Sequence, residues 1–279
     1  MTTTRAAPMR RTRTGTDSVD GKKDPNFVTA LARGLELMRC YGDAAEYLGN
    51  AELAARTGIP RPTVSRLTAT LTQLGYLIYV PHLERYRLGP RVLGLGYRYL
   101  ASEGVSNIAR PFMQELADAT DCFIALGVAE CTQMTYTQTC QGPGPLIMRM
   151  GTGSRVPMAY TAIGRAFLAA LPADQRRTYC ELIQRDDPSA WPHIERALDR
   201  ADREYEQYGF CVAESEWTRD VSGVGVPLLL ENGRRVVAFN CSGSSLRLSY
   251  QILTENLGPR LRAMVAQVRE LIEGGDDRG

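Results

Sequence analysis

Arg61, Thr63, Ser65, Arg66 and Thr70, all able to hydrogen-bond, fall close together in RPTVSRLTATL. Val64, Leu67, Leu71 and Leu74 run beside them at three- and four-residue spacing, so a helix would turn the apolar set inward and the polar set outward. Such a face suits base edges, because one guanidinium can bond guanine O6 and N7 together. Just downstream, YLIYVPHLERYRLGP places Arg85 and Arg87 in a β-rich run. There they would contact phosphate or the minor groove and set register rather than sequence. Taken alone, the helix is equally an ordinary solvated face; the hairpin directly after it favours a DNA reader.

Elsewhere the material for chemistry is thin. Gly151 and Gly153, and Gly223 and Gly225 in SGVGVP, lack the strand–GxGxxG–helix order of a dinucleotide site and the lysine of a phosphate loop. They read as tight turns. Thr161-Ala162-Ile163-Gly164 opens a helix, and the free N–H groups of a helix start can receive an anion such as a small carboxylate. His82 and His193 have no sequence reason to reach Cys241 or Ser242, so no nucleophile–base pair stands out. Glu214 and Glu216 fall in an expected loop and read as solvated. Seven cysteines, an odd number without a CxxC pair, fit reduced thiols buried or half-buried as small hydrophobes. The expectation is a non-enzyme with no catalytic residue, metal or cofactor.

The elements that would position these residues begin near Asn26, where Val28, Leu31, Leu35 and Met38 recur at helical spacing. Asn50 is a candidate N-cap for a second helix with Leu53 and Ala54 inward, ended by Gly58. Pro60-Arg61-Pro62 opens the third, and Gly75 stops it. Two short strands, 76–80 and 86–88, complete a winged helix-turn-helix over residues 26–90. Residues 91–104 read as a glycine-bearing linker helix, with Val92, Leu93, Leu95, Tyr97 and Leu100 as a dimer-forming surface. Beyond it the spacing predicts helices around Ile108–Leu116 and over 161–171, 191–208 and 250–273. Strands are expected at 122–128, 134–139, 146–150, 223–230 and 235–242. Helices mixed with hairpin-connected strands make residues 105–275 an α+β domain with a largely antiparallel sheet.

At 279 residues, 44% hydrophobic and 23% charged, the chain is an ordinary globular protein of one large or two modest domains. No run approaches the ~18 apolar residues of a membrane span, and no apolar stretch follows the basic N-terminus, so the expected setting is the cytoplasm, away from membranes. Charge is divided unevenly. Residues 1–91 hold 14 Lys and Arg against 8 Asp and Glu, a net of +6, whereas residues 92–279 hold 19 against 23, a net of −4. Six of those cations lie in residues 5–23, a basic tail over 1–25 too poor in apolar side chains to order. Between Arg56 and Arg91, however, six arginines face one acid, Glu84. One end of the chain suits a polyanion and the other does not. A small-molecule enzyme or sensor whose winged helix makes only protein contacts is the alternative, and this division weighs against it.

In FVTALARGLELMRCYG, LAARTGIPRPTVSRLTATLTQLGYL and YRLGPRVLGLG, and again in GSRVPMAYTAIGRAFLAALP and YGFCVAESEWTRDVSGVGVPLLLENGRRVVAFNCSGS, the sequence resembles the IclR-type transcriptional regulators. The resemblance implies a winged helix reading a palindromic operator on double-stranded DNA and a GAF-like domain binding a small organic acid. It also implies a homodimer or dimer of dimers, with RNA polymerase as a candidate partner. Carried over by position, the effector pocket falls on Met148, Val156, Ala162, Ile163, Ala213, Val221, Gly223, Asn240 and Ser242. Ala213 stands where an acid is common, Gly223 where a cysteine is common and Asn240 where a serine is frequent. Those departures imply a larger, less charged pocket, suited to a bulky ligand such as an aromatic carboxylate.

Overall fold

The computed structural model describes residues 26–42, 47–143 and 150–276. The expected flexible tail 1–25 and all of the expected strand 146–150 except Met150 lie outside them. Two compact units divide between Ser102 and Glu103.

In the first unit, α1 (Thr29–Arg39), α2 (Asn50–Thr57) and α3 (Arg61–Gln73) precede a hairpin of β1 (Leu77–Val80) and β2 (Arg85–Leu88). Leu37, Leu48, Leu53, Ile59 and Val64 form its buried centre. Gly58 ends α2 in the left-handed conformation, at φ 71°. The cap of α2 differs from expectation: Asn50 is its first residue, and the Glu52 carboxylate accepts the Gly49 N–H at 2.8 Å. In α1 it is Gly34 and Leu37 that are buried, while Val28, Leu31 and Leu35 stay half-exposed or more. This helix carries two apolar stripes, and its own chain covers only one. In α3, Val64 and Thr68 are fully buried and Leu74 is exposed. Thr68 tolerates burial because its hydroxyl donates to Asn50 Oδ1 and the Ser65 carbonyl, both at 3.1 Å.

Helix α4 (Arg91–Ser102) has no buried residue, and Leu93, Leu95, Tyr97 and Tyr99 are exposed along it. Its first residue is tied down, since Arg91 Nη1 donates to the Leu74 carbonyl at 2.8 Å.

The second unit is built on a six-stranded antiparallel sheet. Its strands in chain order are β3 (Phe123–Glu130), β4 (Gln133–Gln141), β5 (Arg155–Pro157), β6 (Cys211–Glu214), β7 (Val221–Leu230) and β8 (Arg235–Ser244). They lie side by side in the order β5-β4-β3-β8-β7-β6. Helices α5 (Gly104–Thr120) and α10 (Gly258–Asp276) cover one face; α6 (Ala162–Ala169) and α8 (Trp191–Tyr208) cover the other. Strand alternation divides the core accordingly. Ile124, Leu126, Val224, Val226, Phe239 and Cys241 join the α5 and α10 side, and Phe123, Ala125, Tyr136 and Ala238 join the α6 side. Asn240 and Ser242, two and four residues beyond Ala238, therefore look toward α6.

Three elements were not anticipated: α7 (Ala173–Asp186), β5 and β6. Only Ile183 of α7 is buried, so it carries almost no apolar period. The final helix is interrupted, with α9 (Tyr250–Ile252) passing through a π-helical turn, Leu253–Leu257, into α10. Gly223 and Gly225 are strand residues rather than turns. A Cβ on Gly225 would stand 2.2 Å from the Ala162 carbonyl oxygen, so glycine lets the start of α6 lie directly on β7. Among the described helices none is long and apolar enough to cross a membrane.

Candidate functional site

On α3, Arg61, Ser65, Arg66 and Thr70 are exposed and Thr63 is half-buried. The packing of Val64 and Thr68 fixes this orientation. The Thr70 hydroxyl is already used, donating to the Arg66 carbonyl at 3.0 Å. On the wing Arg85 and Arg87 share the outer face of β2, but they are not equivalent. Arg85 reaches back to α2, 3.4 Å from a Glu52 oxygen, and donates to the Tyr47 carbonyl. It braces the wing, whereas Arg87 is exposed and has no hydrogen bond or ion pair among the described residues. Tyr86, on the inner face, pairs with Leu48 and stacks obliquely on Tyr79 at 5.0 Å.

In the second unit a cavity of about 40 Å³ opens between α6 and the sheet. Of the positions carried over from the family, Ala162, Ala213, Val221, Gly223, Asn240 and Ser242 line it. Val156 and Ile163 do not: both lie in the apolar core with Phe123 and Met134. Met148 lies outside the described residues. Gly225 packs against the peptide that joins Ala162 and Ile163, at the helix start to which the expected pair of N–H groups belongs. Nor does Gly223 enlarge the cavity. A Cβ there would come within 2.6 Å of the Cys241 carbonyl oxygen and 2.9 Å of Ser242 Cβ, so glycine here permits strand approach.

The polar end of the cavity is Asn240 and Ser242. Asn240 Nδ2 donates to Ser242 Oγ at 3.1 Å, while its buried Oδ1 has no partner. Tyr136, Tyr160 and Trp217 add aromatic walls that position-by-position reasoning missed. Burial pushes the Tyr136 phenol well above its ordinary value, against a hydrogen bond from Asn240 that lowers it.

Glu216 also lines the cavity, and it is not solvated. Its two oxygens take Arg165 Nη1 and Nη2 at 2.8 and 2.5 Å, and Arg200 Nη2 bonds the same carboxylate at 2.5 Å. Burial pushes the Glu216 carboxyl up, but the two guanidiniums outweigh it and hold it below the usual range. Arg165, 1% exposed, also donates to the Ala159 and Val212 carbonyls. Glu204 completes the group: Oε2 accepts the Val212 N–H at 2.8 Å, and buried Oε1 has no hydrogen bond and lies 3.7 Å from Arg200 Nε. A visible signal marked Arg165, the one charge within VPMAYTAIGRAFLAAL. Its partner, 51 residues away, left none.

All seven cysteines are free; Cys131, in the left-handed turn between β3 and β4, is exposed, contrary to expectation. Among the described residues no group of three or more His, Cys, Asp or Glu could hold a metal.

A helix-turn-helix with a β-hairpin wing, carried on the same chain as a domain with a polar-ended cavity, defines a ligand-responsive DNA-binding regulator. The helix-turn-helix model of the IclR regulators matches residues 30–81, and the family described as "Bacterial transcriptional regulator IclR C-terminal" matches residues 97–270. The chain belongs to the IclR family of transcriptional regulators, which are not enzymes. It is 32% identical to the HTH-type transcriptional regulator TsaQ1/TsaQ2 of Comamonas testosteroni over 87% of this chain and 88% of that one. With the p-hydroxybenzoate hydroxylase transcriptional activator of Acinetobacter baylyi it shares 26% over 88% and 93%. The crystal structure of an IclR family regulator from Brucella abortus superimposes with a TM-score of 0.83 at 42% identity, covering 92% of this chain and 97% of that one.

Proposed function

We propose that α3 enters the major groove, with Arg61, Thr63, Ser65, Arg66 and Thr70 toward the bases and Arg87 on phosphate, while Arg85 steadies the wing. The observation that carries this reading is the fixed outward face of α3, two unpaired arginines over fully buried Val64 and Thr68. One winged helix covers little DNA, so the reading includes a homodimer, or a dimer of dimers, on a pseudo-palindrome with half-sites about 34–36 Å apart or a multiple. The uncovered stripes of α1 and α4 supply apolar surface for it. Residues 105–275 act as a GAF-like effector domain for a small organic acid. Ala213, Val221 and the aromatic walls favour an aromatic acid, as does the description of the Acinetobacter relative, which activates a hydroxylase of an aromatic acid. The regulated genes are then a catabolic operon, with RNA polymerase as the further partner.

A mobility-shift titration with the chain's own upstream DNA, with and without benzoate and p-hydroxybenzoate, tests this. A palindromic footprint whose affinity an acid changes supports it. A monomer by light scattering at micromolar concentration with a non-palindromic footprint overturns the DNA reading, and binding that no organic acid alters overturns the effector reading.

A further inference from the structure

Glu216 forms part of two walls. On one side it closes the 40 Å³ cavity; on the other it lines an open groove of about 390 Å³ with His193, Arg196, Ala197, Arg200 and Glu214. It sits on the loop between β6 and β7, beside Trp217, which lines the cavity too. A cavity of this size accommodates a few waters, so an aromatic acid needs its wall to move, and Glu216 and Trp217 are the part of that wall carried on a loop. Movement would strip Arg165 of its carboxylate, and a guanidinium 1% exposed cannot be left without a counter-ion. Arg200, in contrast, already spans a second carboxylate, with its Nε 3.7 Å from Glu204 Oε1, so it keeps a partner if Glu216 leaves. The network thus has two complete arrangements, provided that an outside anion replaces Glu216 on Arg165.

Resting on the effector-pocket reading above, we infer that Glu216 is an internal stand-in for the ligand: an entering carboxylate displaces it from Arg165, Arg200 turns to Glu204, and the 215–220 loop is released. Acids are selected over neutral analogues because only an anion can discharge the exposed need of Arg165. The cationic side chains of the groove, Arg196 and Arg200, place the entry on the same side.

The test uses the full chain with Trp191→Phe, which leaves Trp217 as the single tryptophan on the loop. Adding Glu216→Gln removes the competing anion. Acrylamide quenching of Trp217 is expected to rise at least twofold, and benzoate to bind about tenfold more tightly, with benzamide affinity unchanged. Arg200→Gln, a half-exposed position that keeps the Arg165–Glu216 pair, covers the case in which Glu216→Gln does not fold. It should tighten benzoate about threefold. Unchanged quenching, or benzoate binding that is equal, weaker or absent in the variant that folds, overturns the exchange. Benzoate that binds as expected but leaves DNA affinity unaltered supports the exchange and removes only the effector role.

Discussion

On α3 the guanidiniums of Arg61 and Arg66 stand in water, whereas in the second unit Arg165 is 1% exposed and gripped by Glu216 at 2.5 and 2.8 Å. The same side chain serves opposite ends. An exposed arginine keeps its hydration, costs the fold little, and remains available to a polyanion outside the chain. A buried one has surrendered its water and is held only while an anion stays beside it. The first arrangement can be altered with little effect on stability, while the second makes binding and folding inseparable.

That contrast is sharpest in a pair of alanine substitutions. Breaking a buried ion pair from one side costs about 3–5 kcal/mol because the other charge is left uncompensated. Arg165→Ala should lose that much in urea unfolding of the full chain, with Glu216 left to Arg200 alone. Arg66→Ala, on an exposed face, should stay within about 0.5 kcal/mol. An Arg165→Ala loss below about 1 kcal/mol would show the network to be water-filled and would erase the distinction.

The two regions were also unequally legible. The face of α3 could be read because its residues are neighbours in sequence and a 3.6-residue period sorts them. The period nevertheless placed Leu74 inside and overlooked Thr68, since a hydroxyl with acceptors on its own helix and on α2 packs as well as a methyl group. In α1 the strongest apolar stripe proved to be the uncovered one, which a single-chain pattern cannot distinguish from the core stripe. Strand alternation sets the direction of Asn240 and Ser242 into the cavity, while Ala162 reaches it from the first turn of α6. Ile163 is not among the lining residues, because its side chain joins the apolar core with Phe123 and Met134, a long-range packing that no local period announces. The Arg165, Arg200, Glu204 and Glu216 group joins a helix, a second helix and a loop, and no local period links them.

DNA binding should separate the wing from the helix. Loss of a bidentate arginine–guanine contact removes about 1–3 kcal/mol of discrimination. Arg66→Ala and Arg61→Ala should therefore lower specific affinity by roughly that amount while non-specific binding persists, in competition titrations against scrambled DNA. Arg87→Ala should weaken all sequences alike and reduce the salt slope by about one unit. Arg85→Ala should do less to the salt slope than Arg87→Ala, because its guanidinium is held by Glu52 and Tyr47. Equal slopes for the two wing variants would place Arg85 on DNA after all.

The smallest effect lies within the buried network, where two carboxylates should respond to pH in opposite senses. Glu216 is held below the ordinary value, so its contribution is present above the unfolded value near 4.5 and is lost as pH falls through the folded one. Glu204 is pushed above that value by burial, against its hydrogen bond from the Val212 N–H and the pull of Arg200. Its contribution is present below about pH 4.5 and is lost as pH rises through the folded value. Glu204→Gln keeps an acceptor for the Val212 N–H but cannot ionise. Relative to the native chain, its stability in urea should therefore improve as pH rises from 4.5 toward neutrality and then level off. Glu216→Gln should show the reverse, falling further behind the native chain over the acid range until Glu216 is fully ionised. Parallel pH profiles for the two variants would mean that Arg200 already serves both carboxylates equally, leaving no spare partner for it to turn to.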